Sequence, residues 1–165
     1  MMENITLKRP GITEVLKYTV VAVIIAYIVV LMAFTSGSTK SFKQVSKAVE
    51  SALDTTDLQK TDSQGLKRYY GLNGADYEGV MLYTSKSSMS ADEILLIEAK
   101  SDGQVEGIKA AIDERLAGRK NDFDGYAPKQ EQLIEQAQVT VRGKYVFLAV
   151  SKKAESYKSA FSKSL

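Results

Sequence analysis

The chain has 165 residues, 44% of them apolar, a formal charge of +2, and neither histidine nor cysteine. The two missing residue types exclude disulfides, thiol chemistry, iron–sulfur clusters, most zinc sites and every histidine-based triad. From Lys40 onward the charge is only +1, since Lys8, Arg9 and Lys17 precede it against Glu3 and Glu14, and a field so close to neutral gives nucleic acid nothing to bind.

The first element is Tyr18–Phe34, in which every residue but Thr19 is apolar. At about 1.5 Å per residue the run covers about 25 Å, and the uncharged extension through Thr39 brings it to the ~30 Å of a hydrocarbon core. A buried globular helix carries a polar stripe, which is missing here, so the pattern predicts one transmembrane helix. A cleaved signal peptide is the competing reading. Its apolar stretch is shorter and ends at small residues, whereas Ala33-Phe34-Thr35 is a poor cleavage site. Basic residues do not set the orientation, because Lys8, Arg9 and Lys17 are balanced by Lys40, Lys43 and Lys47 across the span. A short tail, one apolar segment and a long domain read as a signal-anchor with its N-terminus inside. The organisation expected is a cytoplasmic tail over 1–17, a single-pass anchor over 18–34, a small polar linker over 35–41 and an extracytoplasmic domain over 42–165.

Phe42, Val45, Val49 and Leu53 recur at helical steps after Ser41 and predict an amphipathic helix. The polar stretch Asp54–Ser63 leads into a short helix ending in Leu66-Lys67-Arg68-Tyr69-Tyr70 before the turn glycines Gly71 and Gly74. From Tyr77 to Tyr83 the period becomes that of a strand. Ile94-Leu95-Leu96-Ile97, flanked by charge, reads as a central strand covered on both faces, with a helical turn at Ser90–Glu93 as the alternative. Ser101-Asp102-Gly103-Gln104 is a capping box ahead of Val105, Ile108, Ile112 and Leu116, which predict the longest helix over about 102–120. Asp122–Tyr126 breaks it, and Pro128 opens a helix through Leu133, Ile134 and Ala137. Val139–Val150 reads as a hairpin turning near Arg142-Gly143-Lys144, and Tyr157, Phe161 and Leu165 mark a last helix. The order ααββααββα implies an α+β domain with an antiparallel sheet of about four strands and helices mainly on one face.

Ala91–Lys100, Glu114-Arg115-Leu116, Phe123-Asp124-Gly125-Tyr126-Ala127-Pro128 and Val139–Val146 together resemble a family of small bacterial extracytoplasmic domains of unknown function. The likeness extends over roughly residues 41–161. Members of that family occur mainly in low-GC Gram-positive bacteria, held to the outer face of the membrane by a lipid or a single helix. With no cysteine to carry a lipid, the resemblance implies that the apolar helix is the anchor, and it supplies no activity.

Several constellations carry possible chemistry. Between Lys120 and Glu131, Asp122, Asp124, Gly125 and Glu131 fall at the third, fifth, sixth and twelfth positions of a calcium loop, but Lys120 holds the first and Pro128 the ninth. The bland alternative is an ordinary turn between two helices. Glu50 with Asp54, and Glu131 with Glu135, lie one helical turn apart, as a carboxylate hydrolase could use, although exposed helix faces carry such pairs routinely. No Ser-x-x-Lys occurs, and Gly71-Leu72-Asn73-Gly74 is a turn rather than a phosphate loop. Arg68-Tyr69-Tyr70 and Arg142, Lys144 and Tyr145 set cations beside aromatics and form a possible interaction surface for an anionic envelope polymer or a membrane-protein partner. Lys152, Lys153, Lys158 and Lys163 make the C-terminal end basic, suited either to anionic phosphates or simply to solvent. The expectation is a membrane-tethered, non-enzymatic interaction domain without cofactor, the alternatives being an envelope hydrolase and a calcium-responsive domain.

Overall fold

The computed structural model describes residues 11–35 and 40–165; most of the predicted tail and residues 36–39 of the predicted linker lie outside the described residues. The chain divides into two compact units, Met1–Ser36 and Gly37–Leu165. The first holds helix α1, Ile12–Thr35, which begins earlier than the apolar run and includes Lys17. Its stretch Thr13–Leu31 is long and apolar enough to cross a membrane, and all of those side chains are exposed. The hydroxyl of Thr19 donates to the Val15 carbonyl at 2.9 Å, so this polar side chain is satisfied within the helix itself.

The second unit is an α+β domain around a five-stranded antiparallel sheet in the order β1-β2-β3-β5-β4. Its strands are β1 Leu58–Thr61, β2 Tyr77–Ser85, β3 Glu93–Ala99, β4 Gln138–Arg142 and β5 Tyr145–Val150. Its helices are α2 Phe42–Glu50, α3 Ser63–Tyr70, α4 Val105–Phe123, α5 Pro128–Glu135 and α6 Ala154–Ser164. The β3 strand lies at the centre, buried along nearly its whole length, as its continuous apolar run predicts.

Two features differ from the reading of the sequence. The fifth strand, β1, lies in the stretch read as polar loop. It carries one buried apolar residue, Leu58, and is held at the sheet edge by backbone pairing to β2. Helices also cover both faces of the sheet, not mainly one. On one face, Leu95 and Ile97 of β3 and Val146, Leu148 and Val150 of β5 pack with residues of α3, α4 and α5. On the other, Ile94, Leu96, Phe147 and Ala149 pack with Val45 and Val49 of α2 and Tyr157 and Phe161 of α6. Strand alternation accounts for both sets, since successive residues of a fully apolar strand supply opposite cores.

Close approaches fix how the helices seat. A Cβ on Gly79 would lie 2.2 Å from the ring of Phe42, so the first turn of α2 reaches the sheet only because this position of β2 has no side chain. A Cβ on Gly65 would lie 2.0 Å from the Thr61 methyl, which sets α3 against the end of β1. The α3 helix is capped by Asp62, whose carboxylate accepts from the amides of Gln64 and Gly65, and it ends at Gly71 in the left-handed region.

Candidate functional site

The helix α4 stripe that begins with Val105, Ile108 and Ile112 continues into two arginines, Arg115 and Arg119, before Phe123 closes it. Steps of three and four residues turn both arginines toward α3 and the sheet rather than to open solvent. Opposite Arg115 lies Glu93, the first residue of β3. It shares a face with Leu95 and Ile97 and is only 4% exposed. A buried carboxylate is strongly unfavourable unless paired and hydrogen-bonded, and here it is both. Arg115 donates from Nε to Oε1 at 3.3 Å and from Nη2 to Oε2 at 2.8 Å. The hydroxyl of Tyr70, from the last turn of α3, donates to Oε1 as well.

Burial, then the charge of Glu93 beside it, pushes the Tyr70 hydroxyl well above the ordinary tyrosine range. Burial alone would lower the Arg115 pKa, but its hydrogen bonds to Glu93 and the charge of that carboxylate outweigh this and hold it above the usual value. The guanidinium of Arg115 also lies 4.6 Å from the centre of the Tyr69 ring, in cation–π range.

Above this triad, α3 and α4 border a cleft of about 390 Å³. Lys67, Arg68 and Tyr69 line one wall and Arg115, Gly118 and Arg119 the other, with Glu114 and Asp122 as the acids. Arg119 stacks on Phe123 at 4.5 Å, pairs with Asp122 at 3.1 Å and donates to the Ser90 carbonyl at 3.0 Å, yet its buried Nε–H has no hydrogen-bond partner. A Cβ on Gly118 would meet nothing within 4 Å. Glycine inside a helix costs about 1 kcal/mol relative to alanine, and no neighbouring side chain demands it here; the empty space is the cleft.

The residues predicted as an interaction surface divide between the two faces of the sheet. Arg68 and Tyr69 border the cleft, and Tyr70 supplies the buried hydroxyl beneath it. Tyr145 lies in the opposite core, its hydroxyl donating to the Lys40 carbonyl at 3.0 Å, and Lys144 donates to the Lys100 carbonyl at 3.1 Å. Burial, then the Glu98 carboxylate, raises the pKa of Tyr145. Arg142 ends β4 beside the hairpin turn at Gly143. The six residues therefore do not form one surface.

The structure does not gather the calcium-loop residues. Helix α4 runs through Phe123 and α5 starts at Pro128, which leaves only Asp124–Ala127 between them. Asp122 pairs with Arg119, and Lys120 with Glu135 at 2.5 Å. Among the described residues no group of three or more acidic side chains comes together to hold a metal ion.

The acidic pairs each face lysine. Glu50 accepts from Lys60 at 2.6 Å and from the Tyr83 hydroxyl at 2.8 Å, and these hydrogen bonds lower its pKa. Asp54 accepts from Lys153 at 2.8 Å, chiefly for which its carboxyl is held down at about 2. Among the C-terminal lysines, Lys158 donates to Gln138 at 2.9 Å.

Sequence reading missed Glu93, Arg115 and Arg119. The signal present was a pair of arginines at core-facing positions of an otherwise apolar helical stripe, with an acid opening the most buried strand.

Residues 32–151 match a family described as a domain of unknown function, DUF4358, a span that includes every stretch on which the family resemblance was drawn. No curated protein and no solved structure matches the chain.

Proposed function

The chain belongs to the DUF4358 family, and we propose that it is a membrane-tethered binding domain: α1 anchors it, the domain is displayed on the extracytoplasmic side, and the α3–α4 cleft receives its partner. The observation that carries the reading is the cleft itself. It is bordered by cations and an aromatic ring, and it is built over a carboxylate whose oxygens are already occupied by Arg115 and Tyr70.

A group meant for proton transfer has to meet its substrate, whereas Glu93 is buried and makes its three hydrogen bonds with Arg115 and Tyr70. Its role on this reading is to fix Arg115, which in turn stacks on Tyr69 and ties the two walls of the site together. The hydrolase alternative draws less support, because Glu50, Asp54 and Glu135 each face a lysine and none of them lines the cleft. The length and apolarity of α1 support its reading as the anchor. The extracytoplasmic orientation is supported by the family resemblance.

Two measurements test the proposal. Protease added to intact protoplasts should remove the domain while the helix stays in the carbonate-washed membrane; protection of the domain would reverse the orientation. A photoreactive residue at Arg68 should form a discrete adduct in the native envelope, and one at Ser159 on α6 should not. Equal labelling from both positions would remove the cleft as the binding site.

A further inference from the structure

We propose that the α3–α4 cleft binds a phosphodiester anion, held between Lys67 and Arg68 on one wall and Arg119 on the other; the inference rests on the reading of this cleft as the binding site.

The cations of the cleft are not equally engaged. Arg115 is occupied by Glu93, and the two terminal nitrogens of Arg119 by Asp122 and Ser90. Among the described residues, the side chains of Lys67 and Arg68 make no hydrogen bond or ion pair, and the Nε–H of Arg119 is buried without a partner. A buried donor left unsatisfied is unfavourable, and a small rotation of the Arg119 side chain, which is 18% exposed and lines the cleft, would offer it to an acceptor there. The free donors therefore stand on both helices that border the cleft.

Charge and room narrow the class. The lining carries four cations against Glu114 and Asp122, and the buried Glu93 behind it leaves an excess of one positive charge. A phosphodiester carries one negative charge, whereas a phosphomonoester carries about −1.5 to −2 at neutral pH. A tetrahedral phosphate offers oxygens toward both walls, whereas a carboxylate accepts in a single plane; arginine donors suit either, but donors on two facing elements favour the tetrahedral group. The cleft is at the lower end of the volumes typical of small-ligand sites, and the missing side chain at Gly118 leaves room for the glycerol- or sugar-sized groups that flank such a phosphate. The same chemistry is found in an anionic lipid headgroup and in a polymer joined by phosphodiesters.

The test is calorimetric titration of the full chain, in neutral detergent micelles, with glycerophosphoglycerol, inorganic phosphate and acetate as separate probes. Glycerophosphoglycerol should bind saturably at millimolar concentration or below. Arg68→Ala and Gly118→Leu should each weaken binding about tenfold or more, while Lys163→Ala leaves it unchanged. Neither variant removes a packing contact of the fold, so unchanged near-UV circular dichroism keeps the comparison valid. Repeating the titration in nanodiscs with and without phosphatidylglycerol separates the sources: competition by the lipid identifies a headgroup, and its absence identifies a soluble polymer. Acetate binding as well as the diester, binding indifferent to both cleft variants, or no heat from the diester would each overturn the proposal. If an adduct still forms from residue 68 in the envelope, the cleft remains a binding site and only the ligand class has failed.

Discussion

The two faces of the sheet differ in what they bury. Against α2 and α6 the core is aliphatic and aromatic, with the rings of Phe147 and Phe161 stacked at 4.9 Å; ion pairs such as Asp54–Lys153 stay at its rim, and the carboxylate that reaches inward, Glu98, does so beside Tyr145 at the end of β3. Against α3, α4 and α5 the apolar cluster is interrupted by Glu93, Arg115 and the Tyr70 hydroxyl, and a cleft opens above them. A face that only has to hold the sheet closes over it with apolar side chains. A face that places a buried ion pair at its centre gives up that simplicity, and the pair fixes the orientation of the wall that lines the cleft.

The largest expected effect comes from breaking the pair on one side only. Glu93→Ala leaves the Arg115 guanidinium, whose side chain is 18% exposed, and the Tyr70 hydroxyl without their acceptor, and should cost about 3–5 kcal/mol. Replacing both partners, Glu93→Leu with Arg115→Met, should be less destabilising than Glu93→Ala alone, because no uncompensated charge remains. Urea unfolding followed by tyrosine circular dichroism measures both. A double variant as unstable as the single one would mean that the charge itself, and not its pairing, is what this face requires.

The opposite face should respond in a graded way. Phe161→Leu keeps an apolar side chain against the sheet but loses the stacked ring, and should cost about 1–2 kcal/mol from lost aromatic contact and the small void left behind. The same unfolding measurement applies, with a loss close to that of Glu93→Ala counting against the contrast between the faces.

Much of this fold could be read from the sequence where one physical signal dominated. The continuous apolar run of β3, the helical stripe of α4 with its capping sequence, and the hairpin of β4 and β5 each follow from local pattern, and Gln104 does accept from the Ser101 amide at 3.3 Å. The β1 strand could not be read in that way, since one leucine among Gln59, Lys60 and Thr61 becomes a strand only through pairing with β2. The cover on both faces was implicit in β3 and β5, which have no polar alternation. The cleft was legible only in halves. Arg68 and Tyr69 drew notice as cations beside aromatics, but Glu93 and Arg115 meet across 22 positions of sequence, a contact that neither local period announces.

The smallest effect belongs to the rim of the aromatic face. Asp54 is exposed, and its ion pair with Lys153 and its hydrogen bonds from Thr56 hold its carboxyl at about 2. A carboxyl held lower in the folded chain than in the unfolded one, where about 3.9 is usual, contributes stability that is complete above the unfolded value. That contribution fades as the pH falls from about 4 through about 2, when the folded form also takes up its proton. Lys153→Gln should therefore raise the Asp54 pKa, read by carboxyl NMR titration, and flatten the stability profile in that acid window by slightly lowering the stability above it. Solvent screens such a pair, so the shift in midpoint should be far below that of Glu93→Ala. A comparable loss at neutral pH would show that the rim of this face holds the domain together by charge after all, and the contrast between a charged face and an apolar one would no longer describe the molecule.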